Sequence, residues 1–280
     1  MLTGKNIILT GAGRGIGRVV AERCAKEGAM LALLARTESE LEGTLKRIKD
    51  LSPDSFYLVC DVSGQSWVKK VFREIKTRWD HIDVLINNAG VQWPIGPFHA
   101  NKLRAWKANV ETNLFGMAHC THHVLKDMIH KGKGKIINLS GGGSTSARGN
   151  FSAYAVSKTA IVRFTETLAE ELRKFNIDVN AIAPGAINTK MLDEVIEAEE
   201  LAGKELADAL KRKVHGGNDP GLAADLICFL ASERSNGITG KLISAPWDLW
   251  RNEEFCEKLR TDRDLGTLRR IDDKHFTRKT

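Results

Sequence analysis

Short aliphatic runs alternate with longer amphipathic stretches along almost the whole chain. Ile7–Thr10, Met30–Ala35, Phe56–Cys60, Val84–Asn87, Lys135–Leu139, Asp178–Ile182 and Leu242–Ser244 are each brief and lie near turn residues, the mark of strands buried on both faces. Helical periodicity fills the intervals, over Gly17–Glu27, Glu38–Lys49, Trp67–Trp79, Trp106–His130, Ala155–Phe175 and Leu222–Ser232. Strands separated by helices need crossover connections, so the pattern predicts right-handed βαβ units and a parallel sheet covered on both faces. The expected fold is a doubly wound α/β domain over residues 1–245. Its ligand crevice should lie beyond the carboxyl ends of the strands.

Two stretches depart from this plan. Met191 to Gly217 is a charged, alanine-rich helical insertion ending in HGGNDPG, expected to form a mobile flap at about 190–217 over the crevice. Residues 246–280 form a C-terminal extension beyond the last strand, with Trp247, Trp250 and Phe255 as apparent tethers. A packing arm or a subunit contact is the expected role of such a tail.

Composition narrows the class. A length of 280 residues suits one α/β domain, and 42% hydrophobic with 28% charged residues excludes a disordered chain. Uninterrupted apolar runs such as Met30–Ala35 are too short to cross a bilayer, and the N-terminus lacks the layout of a signal peptide. A cytoplasmic protein with no membrane partner is expected. Cys24, Cys60, Cys120, Cys228 and Cys256 are scattered without a CxxC pair, which points to buried free thiols rather than disulfides or a zinc site. The net charge of +7 comes from basic residues interleaved with acidic ones, unlike a nucleic-acid patch, so no nucleic-acid partner is expected.

The first predicted strand runs into Thr10-Gly11-Ala12-Gly13-Arg14-Gly15-Ile16-Gly17 and then a helix. Glycines there let the backbone turn tightly and approach a pyrophosphate, while the helix N-terminus offers free N–H donors and partial positive charge. The TGxxxGxG pattern of Thr10, Gly11, Gly15 and Gly17 is followed by Asp61 in CDV, Asn87-Asn88-Ala89-Gly90, Asn113 in TNLFG, Tyr154 and Lys158 in YAVSK, and Pro184-Gly185 with Thr189. In this order and over roughly residues 3–244, the chain resembles the short-chain dehydrogenase/reductase family. The resemblance implies a Rossmann fold, an oxidoreductase that moves a hydride between a nicotinamide and a carbonyl or alcohol, and a homodimer or homotetramer. It further implies that Asp61 and Val62 flank the adenine, that Asn87, Asn88, Ala89 and Gly90 brace the sheet beside the cofactor, and that Ile187 and Thr189 contact the nicotinamide end.

Cofactor choice follows from charge. An acidic residue closing the second strand would accept bonds from the ribose hydroxyls of NAD and repel a 2′-phosphate. Ala35 holds that place, Arg36 follows it, and Arg14 stands in the glycine loop. Two guanidinium groups able to converge on a phosphate favour NADP(H) over NAD(H).

Tyr154 and Lys158 lie four residues apart on a predicted helix, one turn apart on one face. An ammonium beside a phenol is expected to lower its pKa toward neutrality, the tuning that a general acid/base requires. By the resemblance, Lys158 also holds the nicotinamide ribose, and Asn113 holds a water that links Lys158 to solvent. The family's substrate-orienting serine lies thirteen residues before the tyrosine, where this chain has Gly141. Ser140, Ser144 or the backbone amides of Gly141-Gly142-Gly143 could take its place, or no group does and activity is slow, with Ser140 favoured for its position at the strand end. The family's glycine-rich closing turn is likewise replaced by Ser244-Ala245-Pro246-Trp247-Asp248, which leaves Trp247 and Trp250 as candidates for lining a substrate site.

His119 and His123 have the spacing of a helical metal pair but lack a third ligand, so no metal site is expected. Ile161, Phe164 and Leu168 could serve an oligomer contact or the core. Two other functions remain open to such a sequence: a nucleotide-binding sensor or scaffold of the same fold, and a lyase that uses Tyr154 beside a bound nicotinamide.

Overall fold

Seven strands, β1 (Asn6–Thr10), β2 (Met30–Ala35), β3 (Phe56–Val59), β4 (Val84–Asn87), β5 (Gly134–Leu139), β6 (Ile177–Ala183) and β7 (Leu242–Ser244), form one sheet in the computed structural model, which describes residues 1–271. The end of the expected extension, 272–280, lies outside the described residues. The strand order is β3-β2-β1-β4-β5-β6-β7 with every pair parallel, the doubly wound arrangement read from the sequence. The order reverses between β1 and β4, so the crevice opens where their carboxyl ends diverge.

Ten α-helices complete the architecture: α1 (Gly15–Lys26), α2 (Glu38–Ile48), α3 (Gln65–Arg78), α4 (Leu103–Val110), α5 (Gly116–Lys131), α6 (Ser152–Leu172), α7 (Lys190–Glu197), α8 (Glu205–His215), α9 (Pro220–Ala231) and α10 (Glu253–Thr261). Alternate residues of a strand face opposite sides, so each strand feeds two cores. Ile7 and Leu9 pack with α1, α2 and α9, whereas Ile8 packs with α3, α5 and α6. Val68, Val71, Phe72 and Ile75 show why α3 forms where it does: their helical spacing aligns one apolar face, and that face is buried.

The stretch read as one helix over Trp106–His130 is three segments. Between α4 and α5 the chain makes a five-residue π turn, Glu111–Phe115, before resuming α geometry. Such turns shift the facing of the residues they contain. Here the turn carries Asn113, which is almost fully buried together with Asn109 one turn earlier.

The insertion forms α7 and α8, and Lys190, Met191 and Glu194 on it line the crevice. The HGGNDPG stretch is tied down, because Asn218 accepts from the Ala186 N–H through its side chain and donates its own N–H to the Ala186 carbonyl. In the extension, Trp250 is buried beside Phe229, Cys256 and Leu259 and donates its indole N–H to Ala245 O at 3.1 Å. Phe255 packs against the same core. Trp247 is no tether: its side chain is 73% exposed, since the turn after β7 directs it outward. No helix among the described residues is long and apolar enough to cross a membrane.

Replacing Trp250 by alanine should destabilise the fold by about 3–5 kcal/mol, and the Trp247→Ala variant should remain within about 0.5 kcal/mol of the parent. Urea unfolding of the two variants checks this. Equal effects would contradict the packing described.

Candidate active site

At the switch point the ends of β1 and β4 are stitched together by short side chains. Thr10 Oγ1 accepts from the backbone N–H groups of Asn88 and Ala89 at 3.0 Å each, and Asn88 Nδ2 donates to the carbonyls of Thr10 and Gly11 at 2.9 and 3.0 Å. Deeper, Asn87 Nδ2 donates to Asn138 Oδ1 across β4 and β5, and Asn138 in turn donates to Thr165 on α6. The Nδ2 groups of these buried amides donate across neighbouring elements, which fixes the spacing of the strand ends, while Asn87 Oδ1 is buried without a partner among the described residues.

Gly17 permits the close approach of loop and helix, because a Cβ there would stand 2.0 Å from the Gly11 carbonyl oxygen. Gly15 has φ +53°, a left-handed conformation that disfavours side chains. The first residue before α1, Arg14, supplies no capping side chain. The helix therefore presents free N–H donors to a cleft of about 360 Å³. The cradle of glycines and open donors fits a pyrophosphate.

Around that cleft the structure gathers Gly11, Gly13, Arg14, Gly15, Ile16, Gly17, Arg36, Asp61, Val62, Asn88, Ala89, Gly90, Ser140, Tyr154, Lys158, Pro184 and Thr189. Three other predicted residues stand behind the wall. Gly185 packs toward Asn218 and Pro246, Ile187 joins the hydrophobic core, and Asn113 lies beneath Gly90. Arg14 is paired with Glu40 on α2 at 2.9 Å, and Arg36 forms no ion pair among the described residues. Glu40, Val91 and Thr112 also line the cleft and carried no sequence signal, whereas Met191 and Glu194 belong to the insertion expected over the crevice.

Tyr154 and Lys158 sit on the buried face of α6, 8% and 4% exposed. Lys158 Nζ donates to Leu139 O at 2.8 Å and lies 5.5 Å from the centre of the Tyr154 ring. The expected lowering of the phenol by the ammonium is not what the structure gives. Burial pushes Tyr154 up, opposed only by the Arg148 guanidinium, and burial pulls Lys158 down to about 8. The reason is that both side chains are buried and Lys158 turns its ammonium toward the end of β5, with no carboxylate among the described residues bonded to either.

Asn113 accepts from Val91 N–H at 2.8 Å through Oδ1, and its Nδ2 lies within 3.0 Å of Val91 O, Asn109 Oδ1 and Ser157 Oγ. Asn109 is thus part of the cluster, and its position four residues before Asn113 was the signal for it. A Cβ on Gly90 would meet Asn113 Oδ1 at 3.2 Å and Lys158 Nζ at 3.5 Å, so this glycine keeps open the space that both polar atoms face.

Ser140 lines the cleft and donates to Lys158 O at 3.2 Å. Gly141 is covered by the tyrosine: a Cβ at that position would stand 2.5 Å from Tyr154 Oη. Ser144 is buried away from the cleft lining. Trp247 and Trp250 do not line it either, the first being exposed and the second in the core. His119 Nδ1 bonds the Val62 carbonyl, and His123 stacks near Phe72.

A parallel doubly wound sheet with a glycine cradle at its switch point and a buried Tyr–Lys pair beside it defines a dinucleotide-binding oxidoreductase site. Comparison with known proteins gives the particular class. A family model, short chain dehydrogenase, matches residues 5–200. The short-chain reductase protein NovJ of Streptomyces niveus is 35% identical over 249 residues, covering 84% of this chain and 90% of that protein. Actinorhodin polyketide ketoreductase with NADPH superposes with a TM-score of 0.80 at 30% identity, covering 87% of this chain and 97% of the other. NAD⁺-bound xylitol dehydrogenase superposes with a TM-score of 0.81 at 27% identity, covering 87% and 98%. The chain belongs to the short-chain dehydrogenase/reductase family.

Because the folded-state pKa of Lys158 lies below its ordinary 10.5, the folded protein binds fewer protons than the unfolded chain between about pH 8 and 10.5. Stability through this group rises across that window, and the penalty is full below it. Lys158→Met should therefore stabilise the protein at pH 7 by on the order of 2 kcal/mol, net of the lost Leu139 bond. The gain should vanish near pH 10. Melting curves at both pH values check it, and a variant destabilised at pH 7 would contradict the burial argument.

Proposed function

We propose that this protein is an NADP(H)-dependent carbonyl reductase or secondary-alcohol dehydrogenase in which Tyr154 is the general acid/base. The observation that supports this reading is that Tyr154 lines the cleft among the residues that fit a dinucleotide, with its Oη against Gly141. The bound nicotinamide supplies or accepts the hydride. Tyr154 gives its proton to the carbonyl oxygen in reduction and recovers it from the hydroxyl in oxidation.

Burial keeps Tyr154 protonated at neutral pH, the form that reduction needs. Lys158 would hold the nicotinamide ribose, Asp61 and Val62 the adenine, and Thr189 the nicotinamide end, with Ile187 behind the wall. Asn113 and Lys158 flank the space that Gly90 leaves, where a water would carry protons toward solvent. Ser140 orients the substrate oxygen, because it lines the cleft while Ser144 does not, and its hydroxyl can turn from Lys158 O by rotation about one bond.

Cofactor choice rests on Arg36, since Arg14 is shared with Glu40. NADPH over NADH follows from the absence of an acidic group at Ala35 and the exposed guanidinium beside it. The face of α5 and α6 supports self-association: an apolar hollow of about 370 Å³ lined by Leu125, Phe164 and Leu168 lies open there, whereas Ile161 is buried in the core. A second copy of the chain would cover it, and sedimentation at micromolar concentration reads the assembly.

The decisive assay follows NADPH absorbance with a panel of small ketones and keto esters. Tyr154→Phe should lower kcat by about 10³-fold or more with NADPH affinity retained. Ser140→Ala should cost about 10²-fold in kcat and Ser144→Ala less than about threefold. Arg36→Ala should weaken NADPH about 10-fold or more and leave NADH unaffected, the scale of one charge-assisted phosphate contact. NADPH binding without turnover of any carbonyl would point instead to a sensor or scaffold.

A further inference from the structure

Arg148 has no part in the roles above, yet it borders the catalytic tyrosine. It lies in the loop between β5 and α6, with its guanidinium carbon 3.8 Å from the centre of the buried Phe151 ring and 5.6 Å from that of Tyr154. Nε and Nη2 donate to the two carboxylate oxygens of Glu205 at 3.0 and 2.9 Å, and Nη1 lies 3.5 Å from Gln92 Oε1. Glu205 is the first residue of α8, in the insertion that borders the cleft mouth, and Gln92 donates to Met191 O on the same insertion. The guanidinium plane is held by Phe151 and its fork is filled by a carboxylate.

A bidentate ion pair of side chains only 14% and 24% exposed contributes little net stability, because desolvation offsets the attraction. What such an arrangement does provide is a rigid receptor for a carboxylate. Its present occupant comes from a helix outside the sheet, and the receptor stands beside the group that protonates the substrate.

We propose that Arg148 is the receptor for a carboxylate on the substrate itself, so that the substrates are keto acids or hydroxy acids, and that Glu205 fills the receptor until substrate displaces it. This rests on the reading of Tyr154 as acid/base. The stacked guanidinium binds the substrate carboxylate through its two parallel N–H groups, and the carbonyl a few bonds away reaches Tyr154 Oη. Glu205 is then a competitor, which sets opposite signs for the two halves of the pair.

The test compares a 3-keto acid with its methyl ester in wild type, Arg148→Gln and Glu205→Gln, with NADPH. The acid should be preferred about tenfold or more in kcat/KM by wild type, the acid-to-ester preference should collapse in Arg148→Gln, and Glu205→Gln should raise kcat/KM for the acid severalfold. Calorimetric binding of the matching 3-hydroxy acid and its ester to the NADPH-loaded protein reads the same contact without turnover. There the acid should bind more tightly to Glu205→Gln and more weakly to Arg148→Gln than to wild type. Equal acid-to-ester ratios in all three proteins, or equal losses for both compounds in both variants, would overturn the carboxylate assignment. Ester turnover that still needs Tyr154 would then leave the acid/base reading standing. Arg148→Lys keeps the charge without the fork, and its partial retention of the acid preference guards against loss by misfolding alone.

Discussion

A lysine ammonium held inside the fold, with a backbone carbonyl as its partner, is the constraint around which the site is arranged. Lys158 reaches the last carbonyl of β5 from the buried face of α6, and its own carbonyl accepts from Ser140. Gly90 leaves the space in front of it open, Asn113 faces the same space, and the π turn puts Asn113 there. Each of these features costs something locally: a buried cation, a glycine, an irregular helix. They persist because the surrounding strands and the donating amides of Asn87, Asn88 and Asn138 hold them in place, and strain of this kind collects at functional sites.

The sheet makes this arrangement possible. The reversal of strand order between β1 and β4 opens a crevice, and Thr10 and Asn88 hold its two lips at a fixed spacing. Glycine then brings the backbone of the first loop close enough to expose the N-terminus of α1 to the same crevice. Cradle and Tyr154–Lys158 pair thus sit on rigid elements that meet at one point. The insertion that carries α7 and α8 adds the variable wall, and its Glu205 meets the loop before α6 through Arg148.

Much of this was legible in the sequence, for physical reasons that differ by element. All seven strands stood out because a parallel strand covered on both faces must be an aliphatic run, as Ile7–Leu9 and Leu31–Leu34 are. The glycine loop and the Tyr154–Lys158 spacing could be read because only particular residue types permit those turns and that shared face. The π turn was hidden, since one extra residue scarcely alters the apolar periodicity of a long helix. Trp247 and Trp250 look alike in sequence and differ only in what the turn after β7 does with them. Helical spacing located Lys158 one turn from Tyr154 but could not show that its tip turns to Leu139 and that burial dominates both pKa shifts. Arg148 lies in an irregular loop with no period to mark it.

Tyrosine and lysine buried together, both biased toward their neutral forms, imply that the site is tuned by what binds in it. Anionic phosphates in the cleft would favour the charged lysine, and a charged lysine would ease proton movement at Tyr154. The most direct test is to titrate the Lys158 side chain by NMR with ¹³C-labelled lysine, assigned by its loss in Lys158→Met, with and without NADPH. The account predicts a midpoint near 8 in the free protein and a rise when NADPH binds. A midpoint at the ordinary 10.5 in the free protein, unmoved by NADPH, would contradict it.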